Sequence, residues 1–149
     1  MKQQKLHAYH VLLRMARVRE LRASAVLSEA AGKERTCQSR LDDVLASRDA
    51  ISAAHGQCVQ RSSTVDMGRY EMLSLLDGAY AAKQQSVSNE LTDAMRARKD
   101  RACEDLLAKR YRERMDAHVD QLDGELHREH AAKAQEESVE LWLESRKGP

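Results

Sequence analysis

The chain has 149 residues, enough for one ordinary domain, yet it holds one Trp, four Tyr and no Phe against a charged fraction of 33%. Compact cores rely on bulky aromatics for much of their buried area, so an ordinary globule is excluded and a thin, elongated core is expected. With a net charge of +1, no global field draws the chain onto nucleic acid or an anionic membrane.

Ala, Leu, Glu, Lys and Arg dominate, a composition typical of long helices and coiled coil. The only proline is Pro149, so no residue before it interrupts a helical hydrogen-bond ladder with a pyrrolidine ring. The fold class read from these features is all-α. The opening MKQQKLHAYHVLL has no apolar run of signal-peptide length, and no stretch approaches the roughly 20 apolar residues of a spanning helix. A cytoplasmic location is expected. Cys37, Cys58 and Cys103 form no CxxC spacing and are odd in number.

The first helix is expected over about 3–61. Tyr9, Ala16, Ala23, Ala30, Cys37, Val44, Ile51 and Cys58 recur at intervals of seven, a complete apolar line. Leu13, Glu20, Leu27, Glu34, Leu41, Arg48 and His55 follow four residues later in each repeat, a line broken by polar entries. The pair of lines is a coiled-coil seam. Residues 61–69, RSSTVDMGR, interrupt it with hydroxyl side chains that compete for backbone hydrogen bonds. Ser63 followed by Asp66 has capping-box spacing, so the turn is expected at about 62–67.

The second helix is expected over about 68–147, ended by Gly148 and Pro149. Its heptad line is Leu73, Tyr80, Val87, Ala94, Arg101, Ala108, Met115 and Leu122, with Tyr70, Leu76, Leu91, Tyr111, Val119 and Leu126 at neighbouring seam positions. Two long helices joined by a short turn give a single antiparallel hairpin over 1–149, in which opposed residue numbers add to roughly 130. Ala16, Ala23 and Ala30 then face the stretch holding Cys103, Leu107, Ala108 and Tyr111. At 1.5 Å per residue the second helix spans on the order of 120 Å, and its last ~20 residues overhang the start of the first. Leu141, Trp142 and Leu143 lie in that overhang, with nothing expected to cover them.

Chemistry-bearing constellations are few. Cys37 and Cys58 stand about 31 Å apart on a helix, so no internal disulfide is expected, and the thiols act as small hydrophobes. His7/His10 and His127/His130 are i, i+3 pairs without convergent further ligands, which leaves them as solvated helix residues and no metal site is expected. The chain has no phosphate loop, nucleophile elbow or HExxH motif, so neither an enzyme nor a cofactor or small-molecule substrate is expected.

Charge and apolar residues cluster locally. Residues 1–24 hold Lys2, Lys5, Arg14, Arg17, Arg19 and Arg22 against Glu20 alone, whereas 116–140 hold eight acids against Arg128 and Lys133. This alternation of sign argues against nucleic acid and is compatible with solvated, complementary flanks. In RYEMLSLLDGAYAAK, residues 69–83, the residues Met72, Leu75, Ala79 and Ala82 form a second apolar line beyond the seam, a candidate partner face.

The segment LHAYHVLLRMARVRELRASAVLSEA, with its Leu-His start, Arg-Val-Arg and heptad alanines, resembles the FliJ/YscO/HrpO family of type III secretion systems. The resemblance covers the whole chain in architecture and about 25 residues in wording. It implies a cytosolic stalk, peripheral to the secretion apparatus at the inner membrane. Its partners would be the hexameric export ATPase, an export gate protein and secretion chaperones. Arg14, Arg17, Arg19 and Arg22 are then candidates for the ATPase, and Met72, Leu75 and Ala79 for the gate. Leu141, Trp142 and Leu143 are further partner-binding candidates. Two other readings stand beside it: a homodimeric structural coiled coil of open helices, and a secretion chaperone or adaptor that grips a partner helix.

Overall fold

The computed structural model describes residues 1–60 and 66–148, which form two helices. Helix α1 spans Lys2–Gln60 and helix α2 spans Met67–Arg146, 59 and 80 residues respectively. No described residue lies in a strand. The fold is the expected all-α hairpin with the second helix longer. The expected Ser63 cap lies outside the described residues. Asp66 itself caps α2: the Arg69 N–H donates to Asp66 Oδ1 at 3.3 Å, satisfying one of the donors left open at a helix start. At the other end the Lys147 N–H donates to the Glu144 carbonyl at 3.0 Å in a closing turn before Gly148. No helix among the described residues is long and apolar enough to cross a membrane.

The chain divides into two compact units, each built from one stretch of each helix. One comprises Met1–Ser24 with Glu104–Pro149, the other Ala25–Cys103. We call them the terminal unit and the central unit.

In the terminal unit, Leu13, Ala16, Ala108 and Val119 form the buried apolar residues. Ala16 and Ala108 are each only 2% exposed, so the two backbones approach closely where side chains are smallest. Three cross-helix contacts fix the antiparallel pairing. Arg112 donates to Glu20 at 2.5 Å, Arg17 lies 3.4 Å from Asp116, and the Tyr9 ring stacks on His118 with centroids 5.4 Å apart. The hydrogen bond that Arg112 donates to Glu20, then that to Asp116, holds its guanidinium above the ordinary range. Lys2 reaches Glu129, and Glu125 at 3.7 Å.

The central unit repeats the pattern. Ala30, Val44, Leu73 and Val87 are its buried apolar residues, and Val87 is the most completely enclosed large side chain. Arg98 donates to Glu34, and Arg40 to Glu90 at 2.8 Å. Arg48 spans two turns of α2, donating to Gln84 Oε1 at 2.7 Å and to Asp77 Oδ1 at 3.3 Å. His55 lies 3.2 Å from the Ser74 hydroxyl and stacks on Tyr70. In both units the opposed residue numbers add to about 130, the pairing rule expected of a hairpin.

The α1 seam is the one expected, every member of its two heptad lines being buried or half-buried. The α2 seam keeps its first line except at Arg101, which is exposed, and differs in its second. Leu76 is exposed and Asp77 is half-buried in its stead; the line continues through Gln84, Leu91, Arg98, Asp105 and Arg112 to Val119 and Leu126. Leu107 and Cys103 likewise turn outward, although the alanine seam was expected to meet them. The physical reason is charge. The polar entries of α1 need opposite charge across the seam, and α2 supplies Arg112 to Glu20, Arg98 to Glu34 and Asp77 to Arg48. Leucines in those positions would have left charges half-buried without a partner. Asp105 is the exception. It is 5% exposed, its Oδ2 lies 3.1 Å from Lys109, and its Oδ1 has no hydrogen-bond partner among the described residues. The three cysteines are free thiols, Cys37 and Cys58 half-buried and Cys103 exposed.

Candidate interaction surfaces

Three exposed surfaces present apolar side chains outside the seam, and two of them combine these with charge. The first lies on α1 in the terminal unit. Because the seam takes Tyr9, Leu13, Ala16 and Glu20, the residues roughly opposite on a 3.6-residue helix are Val11, Met15 and Val18. All three are exposed, Met15 by 64%. Leu12, Met15, Val18 and Tyr111 line a groove of about 550 Å³ whose remaining walls are Ala16, Arg14, Arg19 and Arg22. Arg14, Arg19 and Arg22 form no ion pair with a described acid. Arg17 departs from its expected companions: it points across to Asp116. A second groove, lined by Arg17, Glu20, Leu21, Ser24, Lys109 and Arg112, adjoins that pair. The four arginines therefore split into three that flank apolar surface and one that helps close the hairpin.

The second surface is the end of α2. Every residue from His127 to Gly148 is exposed, since α1 begins opposite Glu125 and Glu129. Val139, Leu141, Trp142 and Leu143 stand in this segment, with Trp142 54% exposed. Val139, Trp142 and Leu143 share one helix face at i, i+3, i+4 spacing, while Leu141 lies on the other side. The Arg146 guanidinium sits 4.3 Å from the Trp142 ring centroid, a cation–π contact that orients the indole along the helix. Glu136 and Glu140 border the apolar face, and Glu144 follows one turn beyond Glu140.

The third surface lies on α2 in the central unit. Met72 and Leu75 are exposed, Leu75 by 77%, and Ala79 and Ala82 continue the line. The structure thus leaves outside the seam all the apolar residues expected to meet a partner. It does not bring the Met72 line and the arginine groove into one unit.

Val11, Met15 and Val18 were the members that a charge-centred reading passes over. Their own signal is the i, i+4, i+7 recurrence of apolar residues on the face away from the heptad line. No group of three or more His, Cys, Asp or Glu among the described residues is placed to hold a metal ion. Compared with protein-family models, curated proteins and solved structures, the chain matches none.

Proposed function

We propose that the chain is a central-stalk component of a type III secretion export apparatus, located in the cytoplasm and peripherally associated with that apparatus at the inner membrane. It would bind the hexameric export ATPase and an export gate protein, and promote assembly or activity of the ATPase. The observation that carries the reading is the arginine-flanked groove in the unit that joins the N-terminal and C-terminal segments. Together with the resemblance of residues 6–30 to the stalk family, it supports entry of this unit into the ring. Arg14, Arg19 and Arg22 would meet acidic side chains of the ring's inner wall, with Arg17 partly engaged by Asp116.

The mechanism is differential contact. A two-helix body has no sixfold symmetry, so it touches the subunits of a ring unequally and biases their conformations differently. The Met72, Leu75 and Ala79 line in the central unit would serve the gate. Hydrolysis of ATP by the matching export ATPase, measured with and without this chain, tests the proposal. Stimulation that is lost in R14E/R19E/R22E supports it, and an unchanged rate and oligomeric state refute it.

A secretion chaperone or adaptor role is favoured by one observation, the uncovered Trp142 face. It predicts that Trp142→Ala abolishes partner capture while ATPase stimulation persists. The open, extended coiled-coil dimer lacks such support, because α2 of the same chain already occupies the α1 seam.

A further inference from the structure

The groove on α1 and the end of α2 are complementary in both shape class and charge. The groove offers Leu12, Met15 and Val18 ringed by unpaired arginines; the helix end offers Val139, Trp142 and Leu143 on a segment that stays acidic, with Glu136, Glu137, Glu140 and Glu144 against Arg146 and Lys147. They cannot meet within one molecule. Helix α2 is unbroken from Met67 to Arg146, so its end continues away from the groove with no turn that would carry it back. Both surfaces nevertheless belong to the terminal unit, so any second copy presents the same pair.

We infer that two copies of this chain associate through their terminal units, the C-terminal helix end of each lying in the arginine-flanked groove of the other. A twofold axis makes each contact occur twice, the usual arrangement of a homodimer. The groove lies level with Asp116 on α2, and Trp142 follows about 26 residues later. The two sites are therefore on the order of 40 Å apart along the helix. The axis passes midway, near residue 129. Just beyond it α2 presents Ala131, Ala132 and Ala134, all exposed and small enough for the two α2 helices to lie close as they cross. Past that crossing each helix end runs parallel to the other copy's α1. Trp142 enters beside Met15 and Val18, Glu140 comes level with Arg14 and Glu144 with Arg19, while Arg22 flanks the last turn of the incoming helix. The association depends on opposite charge at its border, so it weakens as ionic strength rises.

The inference does not rest on the stalk reading. It carries a consequence for it, since a dimer covers the arginines proposed to meet the ATPase and the two states exclude one another.

Sedimentation equilibrium of the full chain tests it. The expected result is a species of twice 16.9 kDa at micromolar concentration in low salt. Trp142→Ala should raise the dimer Kd by about thirty-fold or more, as loss of a buried aromatic anchor does. R14E/R19E/R22E and E136R/E140R/E144R should each be monomeric alone and form a heterodimer when mixed. In a background with Cys37, Cys58 and Cys103 replaced by Ser, mixing Met15→Cys with Trp142→Cys should give a disulfide-linked pair under oxidation. A monomer at all concentrations overturns the inference, as does a dimer that both charge-reversed variants retain. ATPase stimulation by a strictly monomeric chain would sink the dimer while leaving the stalk intact, so the two failures are separable.

Discussion

Replacing Asp105 by leucine should stabilise the hairpin. The carboxylate is 5% exposed at a seam position of α2, and its Oδ1 finds no donor among the described residues. A buried acceptor without a partner costs about 1–3 kcal/mol. Leucine also exceeds aspartate in helix propensity, by roughly 0.5 kcal/mol. Against these gains stands the loss of the Lys109 contact at 3.1 Å. Lys109 is an i+4 neighbour with an ammonium half in water, so the contact contributes no more than about 0.5 kcal/mol. The balance is a gain of about 2 kcal/mol, which for a chain of this size raises Tm by on the order of 5 °C. Asp105→Asn keeps the shape and the unmatched polar atoms while removing the charge, so it should recover less than half of that gain. Thermal melts followed by circular dichroism at 222 nm decide the matter. A lower Tm for Asp105→Leu would refute the reasoning, because it would mean that the buried carboxylate stabilises the fold.

Further outcomes follow from the same geometry. Ala16→Leu, in the buried seam, should cost about 1–3 kcal/mol in urea denaturation, whereas Ala82→Leu on the exposed line should stay within about 0.5 kcal/mol of the parent. Glu34→Arg and Arg98→Glu should each lower Tm, and the double variant should regain most of the loss, since the pair is exchanged rather than broken. Lys2 and Glu129 predict a pH dependence. The Lys2 hydrogen bond holds Glu129 below the ordinary carboxylate range, so its contribution is present above that range and lost as pH falls through the lowered folded value. The same bond holds Lys2 above the ordinary ammonium range, so its contribution is lost only as pH rises through the raised folded value. The difference in Tm between the parent and Lys2→Ala, measured at several pH values, should therefore shrink at both extremes.

The α1 seam was readable because eight apolar residues recur without a gap from Tyr9 to Cys58. The hairpin followed from that line, the absence of internal proline and the break near residue 65. The second α2 line was not readable by hydropathy, because Asp77, Gln84, Arg98, Asp105 and Arg112 look like surface residues. Their inward placement depends on which charges face them, a fact about two helices at once. It was recoverable only in part: Glu20 and Glu34 on the α1 seam require cations near positions 110 and 96, but arginines stand at 110 and 112 and again at 96 and 98, and the pairing rule does not choose the inward Arg112 and Arg98. The candidate surfaces divide the same way. Charge clustering drew attention to Arg14, Arg19 and Arg22, and the uncovered helix end to Trp142. The role of Arg17 depended on Asp116 across the seam, which single-helix periodicity does not reveal.

The alternation of sign along the seam also acts as a check on assembly. If α1 slid one heptad in one direction, Glu20 would confront Asp105 and Glu34 would meet only Leu91. Sliding the other way would set Glu20 against Val119 and Arg48 against Leu91. Either error strands ions in half-dry surroundings, so a core of small and medium aliphatic side chains can still reject near-miss pairings of its own two halves.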